Sequence, residues 1–215
     1  IGGIGPAATD VYYRGLIAKA AAMGRDLELT IVHGDAPTLL ANLSKGDVLA
    51  QSSVFERLTK RLKIAGAECV VVTSVAGHFC VDQFATVSPL PVIDLTKTLS
   101  SWLEDKGMSR IGVLGTQTVM ASRLYGKLPK VEIMPPEGSA LGEVHEAYVA
   151  LARSGVSTPA LQKVFFDAGQ ALMERGAEAV MLGGTDLNVA FESADCGFPL
   201  VDCAGIHIDA VAQFI

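Results

Sequence analysis

The segment GAECVVVTSVA at Gly66 returns as GAEAVMLGGTD at Gly176, 110 residues further on. IGGIGPA at Ile1 returns as IGVLGTQ at Ile111 with the same offset, and PVIDLTKT at Pro91 returns as PLVDCAGI at Pro199, 108 residues later. Three matches in one order at nearly one spacing identify a duplicated chain. Such a duplication constrains the fold more than any single motif, because each half must bury its own core with the same succession of elements. With 215 residues, half of them hydrophobic, the chain is long enough for two small α/β lobes.

The halves can be read side by side. In the first, Asp47 is placed to cap a helix whose Val54, Leu58 and Leu62 recur every four residues, with Lys60, Arg61 and Lys63 outward and Gly66 past its end. In the second, Thr158 and Pro159 open a helix carrying Leu161, Phe165, Ala168 and Leu172, and Gly176 closes it. Short apolar runs supply the strands: LELTIVH (27–33), VVV (70–72), PVIDL (91–95), RIGVLG (110–115), VEIM (131–134), VML (180–182) and PLVDC (199–203). Continuous apolar strands alternating with helical patterns predict parallel sheets covered on both faces. The expected fold is α/β: two similar Rossmann-like three-layer lobes, pseudo-twofold related, with a cleft between them. Residues 1–96 with a returning 199–215 would form one lobe, and 97–198 the other.

Composition narrows the partners. A net charge of −6 and a pI near 5.2 disfavour nucleic acid and anionic lipid. No apolar run reaches the roughly 18 residues of a membrane span, and no basic n-region precedes an apolar h-region. The sequence starts at Ile1 rather than at a methionine, which leaves room for a preceding segment, a removed signal included. Cys69, Cys80, Cys196 and Cys203 form neither a CxxC pair nor a zinc spacing, so a reduced, cytoplasmic setting without a metal site is expected. The partner is then a small molecule.

In open parallel sheets ligands gather beyond the carboxyl ends of the strands. Four turns stand there: GGIGP (2–6), SVAGH (74–78), GTQT (115–118) and GGTD (183–186). They form two matched pairs, which would put Ser74 and Gly184 at equivalent places on opposite sides of one cleft. GGIGP lacks the GxGxxG spacing of a dinucleotide site. Its glycines, Gly5 among them, instead suit close backbone approach to a small ligand.

GGIGPAAT followed by VYYRGL, the strand ending in SVAGH, IGVLGTQTVMASRLYGKL, GAEAVMLGGTDL and the closing PLVDCAGIHIDAV together resemble the aspartate/glutamate racemase family over almost the full chain. The resemblance implies two Rossmann-like lobes, no pyridoxal phosphate or other cofactor, a small carboxylate or amino-acid ligand, and a homodimer. It also implies two cysteines on opposite sides of the substrate Cα, one removing a proton and the other returning it. The family's first cysteine opens a motif of the type CNTAH and its second lies in LGCTE. Here those motifs read SVAGH and LGGTD, so both thiol positions are changed, to Ser74 and Gly184. A serine hydroxyl is far more basic once ionised and needs a neighbouring base, and glycine has no side chain, so a symmetrical two-thiol exchange is unavailable.

Other residues then come forward. Asp186 reads as a general base or a ligand for a substrate ammonium, or else as a turn carboxylate capping the next helix. His78, at the family's motif histidine, titrates near neutrality and reads as acid/base or as a loop hydrogen-bonder. Cys80 and Cys203 read as core residues or as thiols reaching the cleft. The resemblance carries substrate binding onto Val75, Ala76, Thr116, Thr118, Gly184, Thr185 and His207, where backbone N–H groups and hydroxyls would hold carboxylates. For the threonines, helix capping is the competing reading. His33, Glu143 and His145 have no firm role. The functional expectation is a racemase-like isomerase without pyridoxal phosphate, acting on a small amino or carboxylic acid of the aspartate/glutamate type through an altered acid/base pair. The alternatives are a carboxylate-binding protein that has lost catalysis, and a related lyase or decarboxylase.

Overall fold

A computed structural model describes residues 1–3, 6–191 and 195–215. The chain divides into two compact units, Ile1–Thr98 with Ala204–Ile215, and Leu99–Cys203. The last strand of the second unit, β4 below, lies at Leu200–Val201, so the return to the first unit begins at Ala204, later than the expected 199.

The first unit holds helices α1 (Pro6–Met23), α2 (Ala36–Lys45), α3 (Val48–Ile64), α4 (Val81–Val87) and the start of α5 (Leu95–Asp105). Its four extended segments run parallel but pair over only one or two rungs. Gly2 bridges His33, with Gly2 N donating to Val32 O (3.0 Å) and Gly34 N to Gly2 O (2.7 Å). Ile1 N donates to Val71 O (2.6 Å), Thr73 N to Ile1 O (3.1 Å), Val70 N to Pro91 O (2.9 Å) and Ile93 N to Val70 O (3.0 Å). The spatial order is therefore 32–34, 1–2, 70–73, 91–93. The expected strand over 27–33 is confined to its end: among the described residues only Val32–Gly34 meet partner groups, and Leu29 and Ile31 are exposed.

Side-chain alternation along 69–72 separates two cores. Val70 and Val72 pack with Leu39, Phe55, Leu58, Leu62 and Phe84 on the α2, α3 and α4 side. Cys69 and Val71 pack with Tyr12, Leu16, Ile93, Ile208 and Val211 on the other. As the sequence requires, Asp47 caps α3 by accepting from Ala50 N (3.0 Å), and Gly66 closes the connection at φ +91°. A cap of this kind contributes about 1 kcal/mol.

The second unit has a full parallel sheet. Strands β1 (Arg110–Leu114), β2 (Glu132–Met134), β3 (Ala179–Leu182) and β4 (Leu200–Val201) lie in the order β2-β1-β3-β4, with Ile111 opposite Ile133 and Ala179, and Val180 opposite Leu200. β1, β3 and β4 lie at the repeat offset from 1–2, 70–73 and 91–93, and β2 takes the edge place that 32–34 holds in the first unit, so the spatial order is the same. Helices α6 (Gln117–Ala121), α7 (Ala140–Ser154), α8 (Pro159–Glu174) and α9 (Asn188–Phe191) connect the strands, and α10 (Cys203–Ala212) leads back to the first unit. Thr158 caps α8 through Leu161 N (3.3 Å), its Phe165, Ala168 and Leu172 are buried, and Gly176 turns away at φ +93°. Leu172 packs so closely on β1 that a Cβ at Gly112 would lie 3.0 Å from it.

Candidate active site

In the first unit the segment 70–73 ends in Ser74 and Val75, both buried, and runs into a 3-10 turn over Ala76–Cys80 that leads to α4. Ser74 is a turn-former as well as a candidate ligand: its Oγ accepts from Gly77 N (3.3 Å). His78 is tied to backbone through both ring nitrogens. Nδ1 lies 2.7 Å from Ser74 O, to which only an N–H can donate, and Nε2 accepts from Leu95 N (3.3 Å). In the neutral ring these contacts select the Nδ1–H tautomer and commit the lone pair that a general base would use. His78 thus holds the turn against the start of α5.

His207, on α10, has the complementary arrangement. Nε2–H donates to Ile93 O (2.9 Å), and Nδ1 accepts from Tyr12 Oη (2.7 Å). It is fully buried, packs edge-on against His78 with centroids 6.1 Å apart, and its pKa falls to about 3 because burial and the neighbouring His78 disfavour a cation. Asp94 caps α5 nearby: Oδ1 accepts from Thr96 N (2.8 Å) and Thr96 Oγ1 (2.7 Å). Burial opposes its charge, but the Thr96 bonds and nearby His78 hold its pKa below the ordinary carboxylate value. A cavity of about 380 Å³ in this unit, lined by Leu27, Leu62, Cys69, Val70 and Phe214, opens at the start of the 70–73 segment, away from the Ser74 turn.

In the second unit two glycine turns adjoin at the ends of β1 and β3. Gly183 N donates to Leu114 O (2.7 Å), and a Cβ at Gly115 would lie 3.0 Å from Gly183 O. Thr116 caps α6 by accepting from Val119 N (3.3 Å), Thr118 is exposed, and His145 Nδ1 accepts from Gln117 N (3.2 Å). Gly184 is extended and buried, and Thr185 and Asp186 are buried in the 3-10 turn Thr185–Leu187.

Asp186 does not cap a helix. Its Oδ2 accepts from Tyr148 Oη of α7 at 2.8 Å, and its buried Oδ1 accepts no hydrogen bond from any described residue. Burial raises its pKa, opposed by the Tyr148 bond and its own backbone N–H. The Tyr148 phenol is pushed well above its usual value by burial and by the Asp186 charge, so it stays a donor. Tyr148 also fills the space beside Gly184: a Cβ built there would lie 2.4 Å from Cε2 and 2.7 Å from Oη.

The profile of the Asp/Glu/Hydantoin racemase family matches residues 1–211. The chain belongs to that family. Among solved structures, a protein assigned to the Asp/Glu racemases from Yersinia pestis shares 23% identity at a TM-score of 0.85, covering 100% of this chain and 96% of that one. An aspartate racemase homologue from Pyrococcus horikoshii OT3 shares 21% at 0.82 with the same coverage. Aspartate racemase from Picrophilus torridus shares 15% at 0.74, covering 100% and 91%. These likenesses bear out the two-lobed α/β fold.

Within this racemase-family frame, Ser74, Val75, Ala76 and His78 share one turn of the first unit, while Thr116, Thr118, Gly184, Thr185 and Asp186 share the paired turns of the second. His207 lies against His78 from the buried cluster with Tyr12, and Gly5 lies outside the described residues. Neither position 74 nor position 184 holds a thiol, and Cys80 closes the first unit's turn. Cys80 is buried with Sγ donating to Gly77 O (3.6 Å), and Cys203 is buried with its pKa driven up by burial and Asp202. Among the described residues no cluster suited to a metal ion occurs. Tyr148 was not singled out by the sequence. Its one signal is a tyrosine next to the buried stripe Val144, Ala147 and Leu151 of α7, a place where a phenol needs a partner.

Proposed function

We propose that this member of the racemase family is a cofactor-independent isomerase acting on a small amino or carboxylic acid of the aspartate/glutamate class, with Asp186 in place of a thiol as the acid/base group. The observation that carries the reading is the Asp186 carboxyl: 4% exposed, with Oδ1 unpartnered among the described residues. Burial makes a carboxylate a stronger base than it is in water. In the proposed step the Cα–H bond breaks, its proton passes to Asp186 Oδ1, and the electron pair is delocalised into the substrate carboxylate. Return of the proton re-forms the bond. Thr118 and the N–H groups of the Gly184–Thr185 turn support carboxylate binding, and Ser74 supplies a hydrogen bond rather than a base.

Absence of a thiol from both positions 74 and 184 favours a second reading, a carboxylate-binding protein without turnover. One experiment separates the two. The protein is incubated with L- and D-amino acids in deuterated water, Cα exchange is followed by proton NMR, and binding is measured by calorimetry. Exchange that vanishes in Asp186→Asn supports the isomerase; heat of binding without exchange for any ligand replaces it with the binding protein. Homodimer assembly belongs to the same proposal, and light scattering at twice the 22.5 kDa chain mass checks it.

A further inference from the structure

We propose that Tyr148 is the positioning residue for Asp186 and that its ring and hydroxyl occupy the space a side chain at position 184 would need. The two halves of this inference come from separate observations. The steric half is the overlap: a Cβ at 184 would stand 2.4–2.7 Å from Tyr148 Cε2, Cζ and Oη, distances no carbon tolerates. Tyr148 and a side chain at 184 therefore exclude one another, so Gly184 is the residue that admits the tyrosine. The polar half is the Tyr148–Asp186 hydrogen bond at 2.8 Å, which engages Oδ2 and leaves the buried Oδ1 without a hydrogen bond among the described residues.

The first unit lacks the pair. At the repeat offset Gly184 corresponds to Ser74 and Asp186 to Ala76, so the tyrosine–carboxylate unit exists in one turn only. A phenol donating to a carboxylate favours the ionised form and fixes the rotamer. Without that bond, a carboxyl buried this deeply would stay protonated to higher pH and serve less well as a base. The groups that act on Tyr148 are Asp186 and the phenol of Tyr125, which also disfavours its ionisation.

The catalytic part rests on the role proposed for Asp186; the steric part stands without it, and the test keeps them apart. Thermal denaturation is measured for wild type, Gly184→Ala, Tyr148→Ala and the double variant. Gly184→Ala should lower the melting temperature by on the order of 5 °C in the wild type and by almost nothing in the Tyr148→Ala background. Equal losses in both backgrounds overturn the inference. Tyr148→Phe keeps the ring and removes the hydroxyl. Carbon-13 NMR of the Asp186 carboxyl, assigned against Asp186→Asn, should then show its titration moved to higher pH, and an unmoved titration overturns the polar half whether or not the protein turns over a substrate. With turnover, Tyr148→Phe should reduce kcat about tenfold, shift the acid limb of the pH profile upward and leave KM nearly unchanged. An unchanged profile counts against positioning.

Discussion

His78 and Asn188 are one position of the duplicated unit, 110 residues apart, and each ties its turn to the strand end that follows. His78 Nε2 accepts from Leu95 N at 3.3 Å, and Asn188 Nδ2 donates to Asp202 Oδ1 at 3.1 Å. The scaffold bond has thus been kept in both halves with different chemistry. Two residues earlier the halves diverge: Ala76 has no acid/base capacity, and Asp186 has a buried carboxyl. The asymmetry of the candidate site comes from this divergence, and the predictions below follow from it and from the buried groups around it.

Asp186 should reduce stability at neutral pH. Its folded pKa is raised, so the folded state favours the protonated form, and ionisation costs stability as pH rises from the unfolded carboxylate value, about 3.9, through the folded one. Asp186→Asn keeps an acceptor for Tyr148 and removes the charge. The variant should melt higher than wild type at pH 7–8, each kcal/mol reading as about 2–4 °C in a chain of this size, and the difference should shrink toward pH 3. Calorimetric scans across that range check it; a variant less stable at every pH contradicts it.

Much of this was legible in the sequence, and the reasons are local. Asp47, Thr158, Gly66 and Gly176 mark helix ends through bonds to residues three or four positions away, and the apolar spacing of Leu58, Leu62, Phe165 and Leu172 reports burial directly. The duplication gave the order of elements in both units. What the spacing could not reveal are partnerships between distant positions: Tyr148 with Asp186 across 38 residues, and Tyr12 with His207 across 195. The strand pattern of 27–33 misled because alternating apolar residues describe a surface that can pair, whereas pairing requires a neighbour, and only Val32–Gly34 have one.

His207 should set the acid limit of the first unit. Its pKa is held near 3 in the fold against about 6.5 when unfolded. The stability of the neutral, buried form is complete above pH 6.5 and is lost as pH falls toward 3, where the unfolded chain gains a proton that the fold refuses. Wild type should lose on the order of a few kcal/mol over that interval. His207→Gln retains an N–H for Ile93 O and removes the imidazole Nδ1 that accepts from Tyr12 Oη, which costs about 1 kcal/mol at pH 7 and flattens the acid limb. Urea midpoints measured from pH 3.5 to 7 distinguish the slopes.

Arg123, Leu124 and Tyr125 hold consecutive left-handed conformations, at φ 50°, 55° and 59°, before Gly126 at 64°. Each costs roughly 1–2 kcal/mol relative to a right-handed residue. Leu124 is fully buried, and its packing offsets the strain; Arg123 is exposed and has no such compensation. Arg123→Gly should therefore raise the melting temperature by about 2–4 °C after the entropy cost of glycine, whereas Leu124→Gly should lower it sharply, since losing a buried leucine costs about 2–5 kcal/mol.

Exchange should outrun inversion. The racemase family's two-thiol chemistry exchanges a proton through two groups, one to remove it and one to return it. On the role proposed for Asp186, the 183–186 turn carries a carboxyl with an acceptor to spare among the described residues, while Ser74 Oγ is engaged by Gly77 N and both His78 nitrogens by backbone. A proton taken by Asp186 is then returned by Asp186, after trading with solvent deuterium, to the carbon it left. Inversion needs a second acid/base group on the opposite face of the carbon, and a serine hydroxyl is a poor acid. In deuterated water a reactive enantiomer should gain deuterium at Cα at least tenfold faster than its mirror image appears, as read by NMR beside chiral chromatography. Equal rates of labelling and inversion would mean that a second acid/base group operates, and the assignment of Ser74 as a hydrogen-bonding ligand would fall.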